Sequence, residues 1–182
     1  MRLSYNAPVV LSFTFLALGV FVITHTILPI LQGWFITYPI FNLVNPIDYF
    51  RLFSHILGHQ NIEHFVGNFT FILLLGPILE EKYGSQKLLI FILTTAFITG
   101  VLNALFFNTG LLGASGIVFL FILLASFTTF KSGEIPLTFI FVFVIFIGQE
   151  VYSALGNDNV SQFAHILGGM IGSVFGFKTN KT

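Results

Sequence analysis

Residues 111–130 read LLGASGIVFLFILLASFTTF, a glycine-flanked serine followed by an apolar run of helical length. The serine, Ser115, stands at the entrance of a segment long enough to form a membrane helix. A polar side chain at that depth is costly in lipid unless it faces protein or water. We therefore interpret Ser115 as a candidate nucleophile, and we ask whether the chain brings a base and hydrogen-bond donors to it.

The composition is that of an integral membrane protein. Of the 182 residues, 55% are hydrophobic and 8% are charged, whereas soluble domains carry roughly 25% charged residues. The formal net charge is zero, so we expect no nucleic-acid partner. The chain contains no cysteine, which excludes disulfides, thiolate catalysis and cysteine-based metal sites.

Six apolar segments reach membrane-spanning length and predict an all-α polytopic bundle, with residues 1–182 as a single domain. The predicted spans are residues 8–31, 63–79, 87–107, 113–130, 135–152 and 160–177. Basic residues favour cytoplasmic N- and C-termini, because that topology puts six of the seven on the inner side. The inner side receives Arg2, Lys82, Lys87, Lys131, Lys178 and Lys181, and the outer side receives Arg51.

The connection between the first two predicted spans is long and rich in aromatic residues. Residues 32–62 include Trp34, Phe35, Tyr38 and Phe41. Amphipathic aromatic side chains favour the membrane interface. We expect this loop to lie in the interface or to pack on the helices.

The polar residues of the second, fourth and sixth predicted spans cluster at one face of the membrane. In the predicted topology these spans begin outside, and their first turns contain His64, Asn68, Ser115 and His165. At 1.5 Å per residue, His165 lies roughly 7 Å below the start of its helix. The topology was set by hydropathy and charge alone, so this coincidence favours a functional site opening to the extracytoplasmic side.

Glycines at helical spacing indicate how the fourth and sixth spans approach each other. Gly168 and Gly172 form a groove on the face of the sixth span that also carries His165. Gly113 and Gly116 flank the serine, permit a tight entry into its helix and remove bulk beside its hydroxyl. We predict that these four glycines pack Ser115 against His165.

The clustered groups suit acyl transfer. Ser115 would attack a carbonyl and His165 would take its proton. His64 and Asn68 share one helix face, and with the Ser115 N–H they would form an oxyanion hole. The acidic candidates to orient His165, Glu150 and Asp158, lie at the end of the fifth span and in the next loop, so a Ser–His dyad is favoured over a triad.

Three motifs at these residues resemble those of the rhomboid family of intramembrane serine proteases. GASG at 113–116 matches its GxSG, residues 164–172 match its AHxxGxxxG, and His64-x-x-x-Asn68 matches its HxxxN. The resemblance, to the bacterial-type six-helix form, implies an endopeptidase of the prokaryotic inner or plasma membrane that cleaves transmembrane protein substrates. It implies the same Ser115–His165 dyad, the same oxyanion hole, and lateral substrate entry gated by the fifth span and the loop after it, near residues 153–160.

Two positions depart from the family pattern, and neither abolishes the predicted chemistry. Phe50 precedes Arg51 where the family has Trp-Arg. Phe119 stands one turn after the serine, where the family usually has a tyrosine stacked on the catalytic histidine. A phenylalanine ring can still stack there, so the predicted fold and activity are unchanged.

Other classes of function remain alternatives. A rhomboid-like protein without catalysis could bind transmembrane helices. The spacing of His55, His59 and His64 could indicate a metal site, and His64 with His165 could ligate haem. These ligand sets explain neither Ser115 nor Asn68, so we predict no cofactor and no metal, and we expect His55 and His59 to anchor the loop by hydrogen bonds.

Overall fold

The computed structural model describes residues 3–127, 134–135, 137–154 and 162–179, with only the backbone at 146–147 and 149–154. The predicted ends of the fourth span, at 128–130, and the predicted start of the sixth, at 160–161, lie outside this part. Residues 155–160 of the loop in the predicted gate also lie outside it.

The described residues form helices joined by loops, without an extended strand, which confirms the predicted all-α fold class. Its α-helices are α1 (Pro8–Val22), α2 (Pro46–Ser54), α3 (Ile62–Tyr83), α4 (Ser85–Phe106), α5 (Ser115–Ala125), α6 (Leu137–Ala154) and α7 (Gln162–Thr179). A π-helical turn (Ile23–Ile27) extends α1, and 3₁₀ turns follow at Pro29–Phe35 and His55–Leu57. An antiparallel bridge between Thr37 and Leu111 is the one β pairing in the described residues.

Three of the described helices are long and apolar enough to cross a membrane: Pro8–Ile27, Ile62–Tyr83 and Ser85–Phe106. The apolar α5 is shorter. The chain is therefore an integral membrane protein, and the count of six spans stays a prediction.

Two predicted boundaries differ from the observed ones for local reasons. The first helix ends by Ile27 rather than at residue 31, because Leu28 precedes Pro29 and a residue before proline disfavours the α conformation. The second membrane helix continues past residue 79 to Tyr83 because Glu80 is buried. Its carboxylate accepts hydrogen bonds from the backbone N–H groups of Val9 (2.9 Å) and Val10 (3.1 Å) at the start of α1.

The α5 helix lies at the centre of the bundle and packs against α3, α4, α6 and α7. Its residues Leu120, Phe121, Leu123 and Leu124 are fully buried. A helix that is hydrophobic on every face is expected to be enclosed by other helices. Enclosure of α5 holds its first residue, Ser115, at a fixed depth in the bundle.

The loop between α1 and α3 packs on the protein, as the sequence predicted. Arg51 organises it, since Nε donates to the Gly33 carbonyl (2.8 Å) and Nη1 pairs with Asp48 (2.6 Å). The same guanidinium lies 4.8 Å from the centre of the Tyr38 ring. The α2 helix packs on α4 at Gly100. A Cβ atom at Gly100 would lie 2.7 Å from the Leu52 carbonyl oxygen of α2, so only glycine permits this close approach.

Candidate active site

A tight turn delivers Ser115 to the first position of α5. Gly113 has φ +117°, a conformation that favours glycine, and its N–H donates to the His55 carbonyl (2.9 Å). Ala114 is the N-cap residue, and Ser115 begins the helix. The N–H groups of a helix's first turn have no partner within the helix, so the Ser115 N–H is available at this end.

The contact between α5 and α7 brings Ser115 and His165 together. A Cβ atom at Gly168 would collide with the backbone of Gly116, and one at Gly116 would lie 3.3 Å from the Ala164 carbonyl oxygen. Ser115 precedes Gly116 and His165 follows Ala164, so the two side chains start from adjoining stretches of backbone. One turn further along, a Cβ atom at Gly172 would lie 2.6 Å from the Leu120 carbonyl oxygen.

The His165 ring packs on Phe119, with ring centroids 4.5 Å apart at an interplanar angle of 40°. Phe119 therefore makes the aromatic contact expected of this position. Within the described residues, the Ser115 hydroxyl and the His165 Nε2 atom are not hydrogen-bonded to each other. Catalytic hydrogen bonds are often long without substrate and tighten when it binds.

His64 and Asn68 reach the same turn from α3. A Cβ atom at Gly113 would lie 2.6 Å from both Cε1 and Nε2 of His64, and 3.7 Å from Nδ2 of Asn68. Because Gly113 has no side chain, the His64 ring can occupy the space beside it. His64 and His165 are also close enough for their charges to interact. Asn61 fixes the start of α3, because its side chain accepts a hydrogen bond from the His64 N–H (2.8 Å).

His59 belongs to this cluster, although the sequence analysis did not place it there. Its Nε2 contacts Asn68 Nδ2 at 3.1 Å, and its Nδ1 contacts the Leu57 carbonyl at 3.2 Å. Burial, and secondarily the charge of His64, lower the pKa of His59 from 6.5 to about 4, so the ring is neutral near pH 7. The histidine spacing was the available signal, but it does not say which nitrogen meets which partner.

His55 anchors the loop, as predicted. Its Nε2 donates to the Ala96 carbonyl on α4 (3.1 Å), while its own carbonyl accepts from the Gly113 N–H. Burial lowers the pKa of His55 from 6.5 to about 4. The Nε2 atoms of His55 and His59 are thus both engaged in hydrogen bonds within the protein.

The Glu150 side chain, Asp158 and residues 155–160 of the predicted gate lie outside the described part of the chain. The sequence-predicted residues that the fold brings to one end of the bundle are Ser115, His165, His64, Asn68, Gly113 and Gly116, with Gly168 and Gly172 below them on α7.

Comparison with known proteins agrees with this arrangement. The Rhomboid domain matches residues 46–182, which include every residue of the candidate site. The chain therefore belongs to the rhomboid family, a class of intramembrane proteases.

Among curated proteins, the chain is similar to Rhomboid protease GlpG of Haemophilus influenzae. The two are 25% identical over 137 residues, which are 74% of this chain and 71% of the relative.

Proposed function

We propose that this protein is an intramembrane serine endopeptidase that cleaves transmembrane segments of its substrates near the extracytoplasmic face. The Ser115 hydroxyl attacks the scissile carbonyl as His165 accepts its proton, and the amine leaves with that proton. A water molecule then hydrolyses the acyl-enzyme and regenerates Ser115. No acidic side chain is assigned to this dyad.

The observation that carries the proposal is the backbone contact of Gly116 with Gly168. Glycine at both positions lets α5 and α7 touch at backbone distance, directly beside Ser115 and His165. Helices whose side chains separate them by 8–10 Å could not bring a short serine side chain to a histidine on the neighbouring helix as directly. The contact of Phe119 with His165 supports a fixed orientation of the base.

The oxyanion formed on attack needs hydrogen-bond donors, and three candidate donors lie at Ser115 or beside the turn that precedes it. They are the Ser115 N–H, the His64 ring and the Asn68 amide, the last two facing Gly113. One such donor accelerates acyl transfer by about 10²–10³-fold. Together with the dyad, these donors make acyl transfer the reaction best served by the site.

The extracytoplasmic side follows from the distribution of basic residues, which favours inward termini. In that orientation the ends of α3, α5 and α7 that carry the site open outward, where water can enter. A substrate must unwind locally to present its backbone to Ser115, so we expect cleavage at small, helix-destabilising residues of transmembrane segments.

A fluorophosphonate serine probe, applied to the purified protein in detergent, tests the activated serine. We expect the parent to be labelled, Ser115→Ala to be unlabelled, and His165→Ala to be labelled at least about 100-fold more slowly. Ser126→Ala is the matched control at the other end of α5, where its hydroxyl bonds the Ile122 carbonyl, and it should be labelled like the parent. Cleavage of a reconstituted transmembrane segment, mapped by mass spectrometry, then tests the endopeptidase activity.

A folded parent that remained unlabelled by this and a smaller electrophile would contradict the proposal. It would favour a rhomboid-like protein that binds transmembrane helices without cutting them.

A further inference from the structure

We propose that His59 is a positioning residue that holds the Asn68 amide in the orientation required for oxyanion stabilisation. The inference rests on the proposed protease function and extends its machinery beyond the residues that touch the reacting atoms. It starts from one hydrogen bond, between Asn68 Nδ2 and His59 Nε2 at 3.1 Å.

The partners of His59 define the direction of that bond. A carbonyl oxygen can only accept, so the contact of Nδ1 with the Leu57 carbonyl requires a proton on Nδ1. The neutral ring then carries a lone pair on Nε2, which accepts from the Asn68 amide. This arrangement identifies the nitrogen of Asn68, rather than its oxygen, as the atom facing His59.

The same nitrogen faces the turn that precedes the nucleophile. A Cβ atom at Gly113 would lie 3.7 Å from Asn68 Nδ2. An amide nitrogen has two hydrogens, so one can bond His59 while the other serves the oxyanion beside Ser115. Without an acceptor at His59, the amide could rotate and present its oxygen, which would repel the developing negative charge.

The surroundings of His59 keep its ring in place. The side chain is 1% exposed. The rings of His64, Phe65 and Phe69 surround it, with centroids 5.0, 5.3 and 5.5 Å from its own. His59 therefore contacts both α3 residues assigned to the oxyanion hole, and a preorganised donor needs no reorientation as charge develops.

A double-mutant cycle separates positioning from general structural support. The readout is the second-order rate of fluorophosphonate labelling of Ser115, because the phosphonyl oxygen occupies the oxyanion position. We expect His59→Phe, which keeps the ring but not the acceptor, to slow labelling about tenfold. In an Asn68→Ala background the same substitution should slow labelling by less than about twofold, because the group that it positions is gone.

Two further variants sharpen the cycle. His59→Gln retains an acceptor and should recover labelling to within about threefold of the parent. His55→Phe is the matched control, since His55 is an equally buried loop histidine that bonds Ala96 rather than Asn68. Its effect should be the same factor in the parent and in the Asn68→Ala background.

Equal factors for His59→Phe in both backgrounds would overturn the inference while leaving the protease proposal intact. An unlabelled folded parent would overturn both. If His59→Phe fails to fold, the parent itself provides the test through its ¹⁵N-histidine NMR spectrum. A His59 ring protonated on Nδ1, with unprotonated Nε2, is expected, and the opposite tautomer would contradict the proposal.

Discussion

The α5–α7 contact and the loop before α3 hold their parts of the site by different physical means. Between α5 and α7, glycines bring backbone against backbone, and the collisions expected for added Cβ atoms leave almost no room. In the loop, Arg51, His55 and His59 reach their partners through side-chain hydrogen bonds. The proposed nucleophile and base thus depend on close packing, whereas the proposed oxyanion donors depend on polar contacts.

This difference predicts how each half of the site responds to substitution and to protonation. Closely packed interiors tolerate added volume poorly, because the backbone on both sides has to move. Hydrogen-bonded segments respond in graded steps, and they also respond to protonation. Substitutions at the helix contact should abolish labelling outright, and changes in the loop should weaken it by degrees.

The largest effect is expected for Gly168→Ala. Its methyl group would collide with the Gly116 backbone, so α7 must move away from α5 at a cost of about 3 kcal/mol or more. Fluorophosphonate labelling should fall by more than about 100-fold, and thermal unfolding in detergent should occur at lower temperature. Gly19→Ala on α1, where nothing lies within 4 Å of an added Cβ, is the matched control and should resemble the parent. Full labelling of Gly168→Ala would show that the helices need not touch.

An intermediate effect is expected from protonation of the loop. The pKa of His55 falls from 6.5 unfolded to about 4 folded, so the unfolded state binds protons first as the pH drops. Stability should therefore be complete above the unfolded pKa and should decline between about pH 7 and about pH 5, by about 2 kcal/mol for this residue. Chemical denaturation in detergent at both values should show a smaller decline in His55→Gln than in the parent. An identical decline in both proteins would show that His55 does not cause the loss of stability at low pH.

The smallest effect is expected for Arg51→Lys. Lysine keeps the charge near Asp48 but loses the planar donor to Gly33 and stacks less well on Tyr38. The loop should lose about 1–2 kcal/mol, and labelling should slow only severalfold, since no α5–α7 contact changes. Limited proteolysis within residues 32–62 should accelerate. If Arg51→Lys lost labelling as completely as Gly168→Ala, the loop and the α5–α7 contact would not differ in their response to substitution.

The sequence was most informative where one residue type has one physical reason to be present. Glycines at 168 and 172 predicted a close helix contact because no other side chain leaves that space, and the fold has α5 lying there. The apolar residues of 111–130 predicted a helix, and their burial on every side explains why so few polar residues interrupt it. The all-helical rhomboid fold followed from these patterns and the three motifs.

The tertiary partners of polar residues were less predictable, because a hydropathy analysis assumes that each polar residue is exposed to water. Glu80 marked the expected end of a span, yet it is buried because its partners come from α1, some 70 positions away. Similarly, nothing in the local sequence around His59 indicates that its Nε2 atom accepts a hydrogen bond from Asn68. Such pairings depend on the three-dimensional path of the loop, which spacing along the chain does not specify.

The Glu80 contact also bears on the order in which the protein can assemble. The first amides of α1 are bonded by a carboxylate that lies in α3, so they gain this partner only after α3 has been synthesised and inserted. Ser85, at the start of α4, donates to the same carboxylate (2.7 Å) and joins later still. These contacts at this end of the bundle are therefore completed in the order α1, α3, α4. The start of α1 thus gains these side-chain hydrogen bonds only after a later helix has been synthesised.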